Sequence, residues 1–275
     1  MLPAAFTALL AIRLVLTDLD GTVTNSAGAV TPATMAAMRR CAVPVLPATG
    51  KSRAGARLLL GDEYVQSVPG VFLNGLLVTS PNGTVLYERT MERAVVASVS
   101  AKCRALDPVD GNSALLGFVG DVIVAERRAP ITDSLTARYN EPEVVICPDM
   151  SDSPSPVHKL LYMAEPDAIT RIRPALEAHC AGRATLVQAL PEMLEFLPLG
   201  ASKGDGVRRL LETLDVPYGD VLAVGDAEND IGMLQAAGVG VAMGQAADEV
   251  KAAADWVTSS RDEDGFVAAL RRFVG

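Results

Sequence analysis

The sequence predicts an α/β protein: a mostly parallel sheet built from both ends of the chain, with a smaller α+β unit inserted between them. Three observations carry this. Short apolar runs alternate with helical stretches over residues 12 to about 80, and again from Lys203 to the end. In the middle, at about 85–195, pairs of short strands and separate helices replace that alternation. Finally, one apolar run near each end of the chain finishes in acids: Arg13-Leu-Val-Leu-Thr-Asp18-Leu-Asp20-Gly-Thr22 and Val221-Leu-Ala-Val-Gly225-Asp226-Ala-Glu-Asn229-Asp230. The expected organisation is a split core at 1–84 and 196–275, with an inserted domain at 85–195.

In chain order, Leu14–Thr17 reads as a buried strand. Thr31 followed by Pro32 opens a helix through Arg40, an N-cap with proline in the first turn. Val43–Pro47 is a second short strand, tipped by Ala48-Thr49-Gly50-Lys51-Ser52 and followed by a helix to about Leu60. Val71–Val78 with Pro81-Asn-Gly83-Thr reads as a hairpin. In the insertion, Glu92–Leu106 is helical, and Ala114–Val119 and Val122–Ala125 are adjacent strands about Gly120-Asp121. Thr132–Tyr139 is a helix, and Cys147–Val157, dense in Pro and Ser, is a loop. Leu160–Ala164 is a strand, Pro166–Cys180 a helix, and Ala184–Ala189 with Met193–Leu197 a hairpin about Leu190-Pro191. From Lys203 the pattern is helix, strand 221–224, helix 229–237, strand Val239–Met243, helix 246–253, a short Trp256–Thr258 strand and a helix over Gly265–Phe273.

Bulk properties narrow the function. The 275 residues, 49% hydrophobic, suffice for a sizeable core. A net charge of -9 argues against sequence-independent nucleic-acid binding, which needs Lys and Arg to neutralise phosphates. Arg outnumbers Lys 19 to 5 without forming a basic run. The four cysteines form no C-x-x-C pair and there are two histidines, which disfavours both a zinc site and a disulfide scaffold. A metal here is expected to be a hard cation on oxygen ligands. The mildly apolar Met1–Leu16 segment lacks the basic start of a signal peptide and the length of a membrane span, so the expectation is a cytoplasmic protein that neither crosses nor binds membranes.

The acids carry the chemistry. Ligands of parallel α/β sheets bind outside the carboxyl ends of the strands, where both acidic clusters sit. Asp-x-Asp-Gly alone is also a turn signature; the second cluster with the same grammar points to one shared site. Asp18 fits a nucleophile that attacks a phosphoryl group, Asp20 a general acid and base, and Asp226 a further carboxylate of a Mg²⁺ site. Asn229 and Asp230 extend the same site, although both also suit a helix cap, and the two roles can coexist. Thr49 and the backbone N–H groups after it suit a phosphate at a helix N-terminus, or a plain helix cap. Lys203 opens a helix in Gly200-Ala-Ser202-Lys203-Gly-Asp-Gly206, where the helix dipole disfavours a cation. A partnership with phosphate and Asp18 explains that placement better than a solvated surface position. The Walker A spacing is absent.

Taken together, Asp18-Leu-Asp20-Gly-Thr22, Ala48-Thr49-Gly50-Lys51, Lys203-Gly-Asp-Gly and Gly225-Asp226-Ala-Glu-Asn229-Asp230, in this order, resemble the four motifs of the haloacid dehalogenase (HAD) superfamily. Details point to its Cof-type sugar-phosphatase subfamily, whose large type IIB α/β cap is inserted between the second and third motifs. The resemblance spans essentially the whole chain, including Asn74-Gly75 and Asp264-Gly265-Phe266. It implies a Rossmann-like core, an α+β cap and Mg²⁺-dependent phosphate-ester hydrolysis through an aspartyl-phosphate. It implies Asp18 as nucleophile and metal ligand, Asp20 as acid/base and metal ligand through its carbonyl, and Lys203 as the fixed charge at nucleophile and phosphate. Thr49, Gly50 and Asn229 bind phosphate, while Asp226 ligates the metal and Asp230 supports the metal shell. The chain departs from the family at Lys51, usually Arg, which loses the bidentate guanidinium fork, and at Val23-Thr24, usually Leu-Leu.

Other activities of the superfamily separate on residues. A dehalogenase has no need of Asp20 as proton donor, and a membrane ATPase needs spanning helices. A phosphohexomutase-like phosphotransferase and a non-catalytic sensor of a phosphorylated metabolite remain as alternatives. The substrate is expected to be a small phosphorylated metabolite, but residues 85–195 hold no sharp selecting motif. Arg127, Arg128, His158 and Lys159 are candidate polar contacts, though each reads more readily as an ordinary surface residue. The oligomeric state leaves no mark on the sequence.

Overall fold

The computed structural model describes residues 12–106, 112–150, 153 and 155–275. The first part of the Met1–Leu16 reading, to residue 11, lies outside the described residues, as do 151, 152 and 154 of the Cys147–Val157 loop.

The chain opens with β1 (Leu14–Thr17), α1 (Pro32–Arg40), β2 (Val45–Pro47), α2 (Arg53–Leu60) and α3 (Asp62–Ser67). Thr31 caps α1 as expected, its side chain accepting from the Thr34 N–H. A meander follows: β3 (Gly70–Phe72), β4 (Leu77–Thr79) and β5 (Val85–Glu88). Then come α4 (Arg93–Leu106), β6 (Ala114–Val119), β7 (Val122–Ala125), α5 (Pro130–Tyr139), β8 (Val144–Ile146), β9 (Lys159–Met163), α6 (Pro166–Cys180), β10 (Ala184–Leu190) and β11 (Met193–Pro198). The last stretch holds α7 (Lys203–Leu214), β12 (Val221–Gly225), α8 (Ile231–Ala236), β13 (Val239–Ala242), α9 (Asp248–Ala252), β14 (Trp256–Val257) and α10 (Gly265–Phe273).

The first and last stretches share one parallel sheet of order β14-β13-β12-β1-β2. β1 and β12 are buried throughout, which is why both read as unbroken apolar runs rather than alternations. Successive side chains serve opposite faces. Leu14, Leu16, Leu46, Val221 and Ala223 meet Val207, Leu210 and Leu211 of α7 and Met233 of α8. Val15, Val45, Leu222 and Val224 join Met38 of α1 and Phe266 and Leu270 of α10.

The middle stretch builds a six-stranded layer of order β10-β11-β9-β6-β7-β8, antiparallel except for the β7/β8 pair. Its outer face packs Leu115, Leu160, Tyr162, Leu194 and Phe196 against Val99 and Cys103 of α4 and Ile169, Ile172 and Leu176 of α6. Its inner face carries Leu116, Phe118, Leu161 and Met193, with Leu135 of α5 in the same cluster.

Some elements differ from expectation. The hairpin at 71–84 gains a third strand, β5, whose side chains are largely exposed. β8 and α3 were not anticipated: β8 is a three-residue edge strand with two exposed positions, and α3 lacks a repeating apolar face. The helix expected over 229–237 is a 3₁₀ turn at Glu228–Asp230 followed by α8. The expected junctions at 84/85 and 195/196 meet strands, since β5 starts at Val85 and β11 runs to Pro198. Among the described residues no helix is long and apolar enough to cross a membrane.

Candidate active site

Pairing in the parallel sheet assembles the acids. Thr17 of β1 lies opposite Val224 of β12, and the Asp18 N–H donates to the Val224 carbonyl at 3.0 Å. Asp18 and Asp226 therefore leave adjacent strands at the same end. On the other side, the Ala48 N–H donates to the Thr17 carbonyl at 2.8 Å, which brings Thr49 and Gly50 to that end too. The turn after Asp18 depends on Gly21: its φ is +86°, and a Cβ there would lie 2.2 Å from Asp226 Oδ2.

Lys203, the first residue of α7, ties the cluster together. Its Nζ donates to Asp18 Oδ1 at 2.7 Å and to Asp230 Oδ1 at 2.6 Å, and all three residues are buried. Asp230 Oδ2 accepts the N–H groups of Asp226 and Ala227 at 2.9 and 3.0 Å, so this acid clamps the loop that carries Asp226. Asp226 Oδ1 accepts from the Thr22 hydroxyl at 3.1 Å. Gln245, a residue the sequence reading missed, donates to the Gly21 carbonyl at 2.7 Å beside it. Among the described residues, Asp18, Asp226 and Asp230 form a carboxylate cluster whose oxygens lie within 4.8 Å of one another.

Charge in this cluster is unbalanced. Burial raises the Asp18 carboxyl well above its usual range; Lys203 opposes this, while Asp230, Asp226 and Asp20 add to it. Burial, then Asp230, pushes Asp226 up to about 7. Burial alone would lower the Lys203 ammonium, but Asp18 and Asp230 outweigh it and hold the group above its ordinary value. Three acids thus share one internal cation, and the all-oxygen donor set fits a hard divalent ion.

The cluster opens into a cleft between the parallel sheet and the inner face of the six-stranded layer. Asp18, Asp20, Thr49, Gly50, Lys51 and Asn229 line its sheet side. Asp20 Oδ2 lies 3.1 Å from Lys51 Nζ, and Lys51 also donates to the Tyr139 carbonyl at the end of α5. The unusual lysine of the second motif thus joins Asp20 to the opposite wall.

The turn after β2 decides against Thr49 as a plain helix cap. Ser52, not Thr49, caps α2, accepting the Gly55 N–H at 2.9 Å. Three N–H groups of this turn are already engaged. That of Lys51 bonds Thr49 Oγ1 at 3.2 Å, that of Ser52 bonds Glu141 Oε1 at 3.2 Å, and that of Ala54 bonds Asp121 Oδ1 at 2.7 Å. Asp121 and Glu141 come from the six-stranded layer, so the positive end of α2 receives that layer's carboxylates. Buried Glu141 is pushed up to about 7, burial outweighing Lys51 and its bond from the Ser52 hydroxyl.

The candidate selecting residues separate. Lys159 reaches the cleft, buried, with its Nζ 2.8 Å from Glu195 Oε2. His158 is also buried but turns away, its Nε2 2.9 Å from Glu88 Oε1. Arg127 and Arg128 are exposed and do not line the cleft. Asn74 enters through a left-handed turn and donates to Glu195 Oε2 at 2.6 Å. The next residue must be glycine: Gly75 has φ +90° and a Cβ there would lie 2.2 Å from the Ser202 carbonyl.

A sequence profile of haloacid dehalogenase-like hydrolases matches residues 15–270. The chain belongs to that family. The family resemblance extends to a chloroplastic protein of Arabidopsis thaliana called endoribonuclease YBEY, 36% identical over 272 residues, which are 93% of this chain and 45% of that protein. Phosphatase YwpJ of Bacillus subtilis is 41% identical over 90 residues, covering 33% of this chain and 32% of YwpJ. The matched residues therefore cover less than half the length of each of these curated relatives. Among solved structures, a HAD/COF-like hydrolase of Plasmodium vivax superposes with a TM-score of 0.87 at 25% identity, over 95% of each chain. A haloacid dehalogenase-like hydrolase of Bacteroides thetaiotaomicron gives 0.81 at 27% identity, over 94% of this chain and 98% of that one. The expected HAD fold, with its parallel-sheet core and a further sheet, is thereby met.

Proposed function

We propose that this HAD hydrolase is a Mg²⁺-dependent phosphatase that cleaves phosphate monoesters of small metabolites, sugar phosphates or related esters, through an aspartyl-phosphate on Asp18. The observation that carries this reading is the buried Lys203 ammonium shared by Asp18 and Asp230 beside Asp226, at the mouth of a cleft. The phosphatase names of relatives such as YwpJ support it. The donor set suits the metal: Asp18 and Asp226 would hold it, with the Asp20 carbonyl, and Asp230 would brace them. Once bound, Mg²⁺ screens the anionic nucleophile from the anionic substrate and polarises the phosphoryl group.

The chain's own groups do the rest. The Asp18 carboxylate attacks phosphorus, the bond to the ester oxygen breaks, and Asp20 delivers a proton to the departing alcohol. A water then attacks the same phosphorus, Asp20 takes its proton, and the Asp18 carboxylate is restored as phosphate leaves. Thr49, Gly50 and Asn229 hold the phosphoryl oxygens, and Lys203 offsets charge at the nucleophile. Residues 85–195 act as the cap, excluding water over the site. Residence in the cytoplasm belongs to the same proposal, with the plastid as the alternative that the name of the Arabidopsis relative raises.

The test is phosphate release from a panel of phosphorylated metabolites, with Mg²⁺ and with EDTA, beside Asp18→Asn. Release that requires the metal and vanishes in the variant supports the reading. Release indifferent to EDTA or to Asp18 overturns it. Movement of phosphate between positions of one hexose without release favours the phosphotransferase, and tight binding without turnover the sensor.

A further inference from the structure

We propose that Lys159 and Glu195, on the inner face of the six-stranded layer, are positioning residues that fix the phosphate-binding groups of Gly50 and Asn229 whenever that layer is docked. The inference rests on the phosphatase reading above. Lys159 Nζ donates to the Gly50 carbonyl at 2.7 Å and to Glu195 Oε2 at 2.8 Å. The same Glu195 oxygen accepts from Asn74 Nδ2 at 2.6 Å, and Asn74 Oδ1 accepts from Asn229 Nδ2 at 2.8 Å. Five residues thus form one chain of hydrogen bonds, running from one phosphate-binding group to the other through two side chains of the layer.

Donor and acceptor counting gives this chain a direction. Lys159 has donors only, and a carboxylate accepts only. Glu195 Oε2 accepts twice, so Asn74 must turn its NH₂ toward it and its oxygen toward Asn229. Asn229 must then offer its NH₂ to Asn74. This keeps one N–H of the Asn229 amide for a phosphoryl oxygen and sends its Oδ1 to a buried position with no partner among the described residues. The orientation of an amide in the phosphate site is therefore set by a carboxylate of the opposite layer. Parting the layers breaks the Lys159–Gly50 and Glu195–Asn74 bonds together and frees both amides to turn.

Stability alone gives little reason for such a chain. Lys159, Glu195 and Asn74 are almost fully buried, and buried ion pairs are often replaced by apolar residues without loss. Lys159 also sits 4.4 Å from the Phe118 ring centroid, in a wall that apolar side chains could fill.

The test uses the full chain, Mg²⁺ and p-nitrophenyl phosphate. Asn74→Asp sets two carboxylates face to face and Lys159→Met/Glu195→Leu removes the linking pair, so in each kcat should fall about tenfold or more through misplacement, with KM moving much less. Glu195→Gln keeps an oxygen that can accept from both Lys159 and Asn74, so it should retain far more kcat than either. As a folding control, each variant should keep the parent's circular dichroism and a single cooperative urea transition. Undiminished kcat in Asn74→Asp or in the apolar pair, or a Glu195→Gln variant as impaired as these, overturns the positioning role while leaving the phosphatase standing. A parent chain that is folded but releases no phosphate from any ester overturns both.

Discussion

Replacing Glu141 by Gln should stabilise the protein in a manner that grows with pH. Glu141 follows the left-handed Asn140 at the end of α5 and is 4% exposed. Its carboxyl accepts the Ser52 hydroxyl at 2.6 Å and the Ser52 N–H at 3.2 Å. Burial, only partly offset by Lys51, the Ser52 hydroxyl and Lys159, raises it from 4.5 to about 7. A carboxyl raised on folding holds its proton more tightly in the folded state. Its contribution is therefore fully present below pH 4.5, shrinks as pH rises and is lost above about 7. A shift of some two to three units at 1.36 kcal/mol each corresponds to about 3 kcal/mol. Gln has the same shape and does not titrate. Its oxygen can accept the Ser52 N–H and its NH₂ can donate to the Ser52 oxygen, which has room for a second donor beside Gly55. Urea unfolding of both proteins from pH 4.5 to 8.5 is the assay. At the acid end the two should agree within about 1 kcal/mol, the worth of one altered hydrogen bond. At the alkaline end the variant should be ahead by up to about 3 kcal/mol. Since every other group titrates alike in both proteins, a difference that stays flat with pH, or turns against the variant above pH 7, would refute the reasoning.

Three further outcomes follow from the same geometry. Lys203→Met leaves Asp18 and Asp230 buried without their shared cation, so urea unfolding should show a loss of about 3–5 kcal/mol, with phosphate release abolished; a variant of parental stability would contradict the pairing. Gly21→Ala adds about 1–3 kcal/mol of backbone strain and drives a methyl against Asp226; calorimetry should then show weakened Mg²⁺ binding, and unchanged affinity would count against Asp226 as a ligand. Mg²⁺ at a hundred times its dissociation constant should stabilise the chain by about 2.7 kcal/mol; the gain should disappear with EDTA or in Asp226→Asn, and its persistence there would place the metal elsewhere.

How much of this was legible in the sequence depended on whether the decisive contact was local. The boundaries of β6, β7, α6 and α10 could be read outright, because prolines, turn glycines and apolar runs mark them in place. β8 and α3 could not: three residues on an edge, or six without an apolar stripe, leave no periodic trace. In the site, Lys203 was legible for a physical reason. A cation at the start of a helix is unfavourable, so its presence announced a partner, and Asp18 at 2.7 Å is that partner. For Thr49 the sequence allowed a phosphate contact or a plain helix cap; the cap is Ser52, three residues on, which removes the second reading.

Lys159 shows where reading along the chain ends. Its neighbours His158, Leu160 and Leu161 say nothing of a cleft, and a lysine there reads as a surface residue. What buries it is register. Leu161 of β9 lies opposite Glu195 of β11, and Phe118 of β6 lies opposite Lys159, so period-two alternation puts all four on the inner face. A slip of one residue in either pairing would turn Lys159 or Glu195 to the outer face, among Leu160, Tyr162 and Phe196, and leave its charge in an apolar core. The apolar outer face packed on α4 and α6 therefore does two things at once. It fixes the register that folds the layer, and by the same constraint it aims one ammonium and one carboxylate at Gly50 and Asn74. The four motifs are local in sequence; the groups that face them from the other layer are written only in strand pairing.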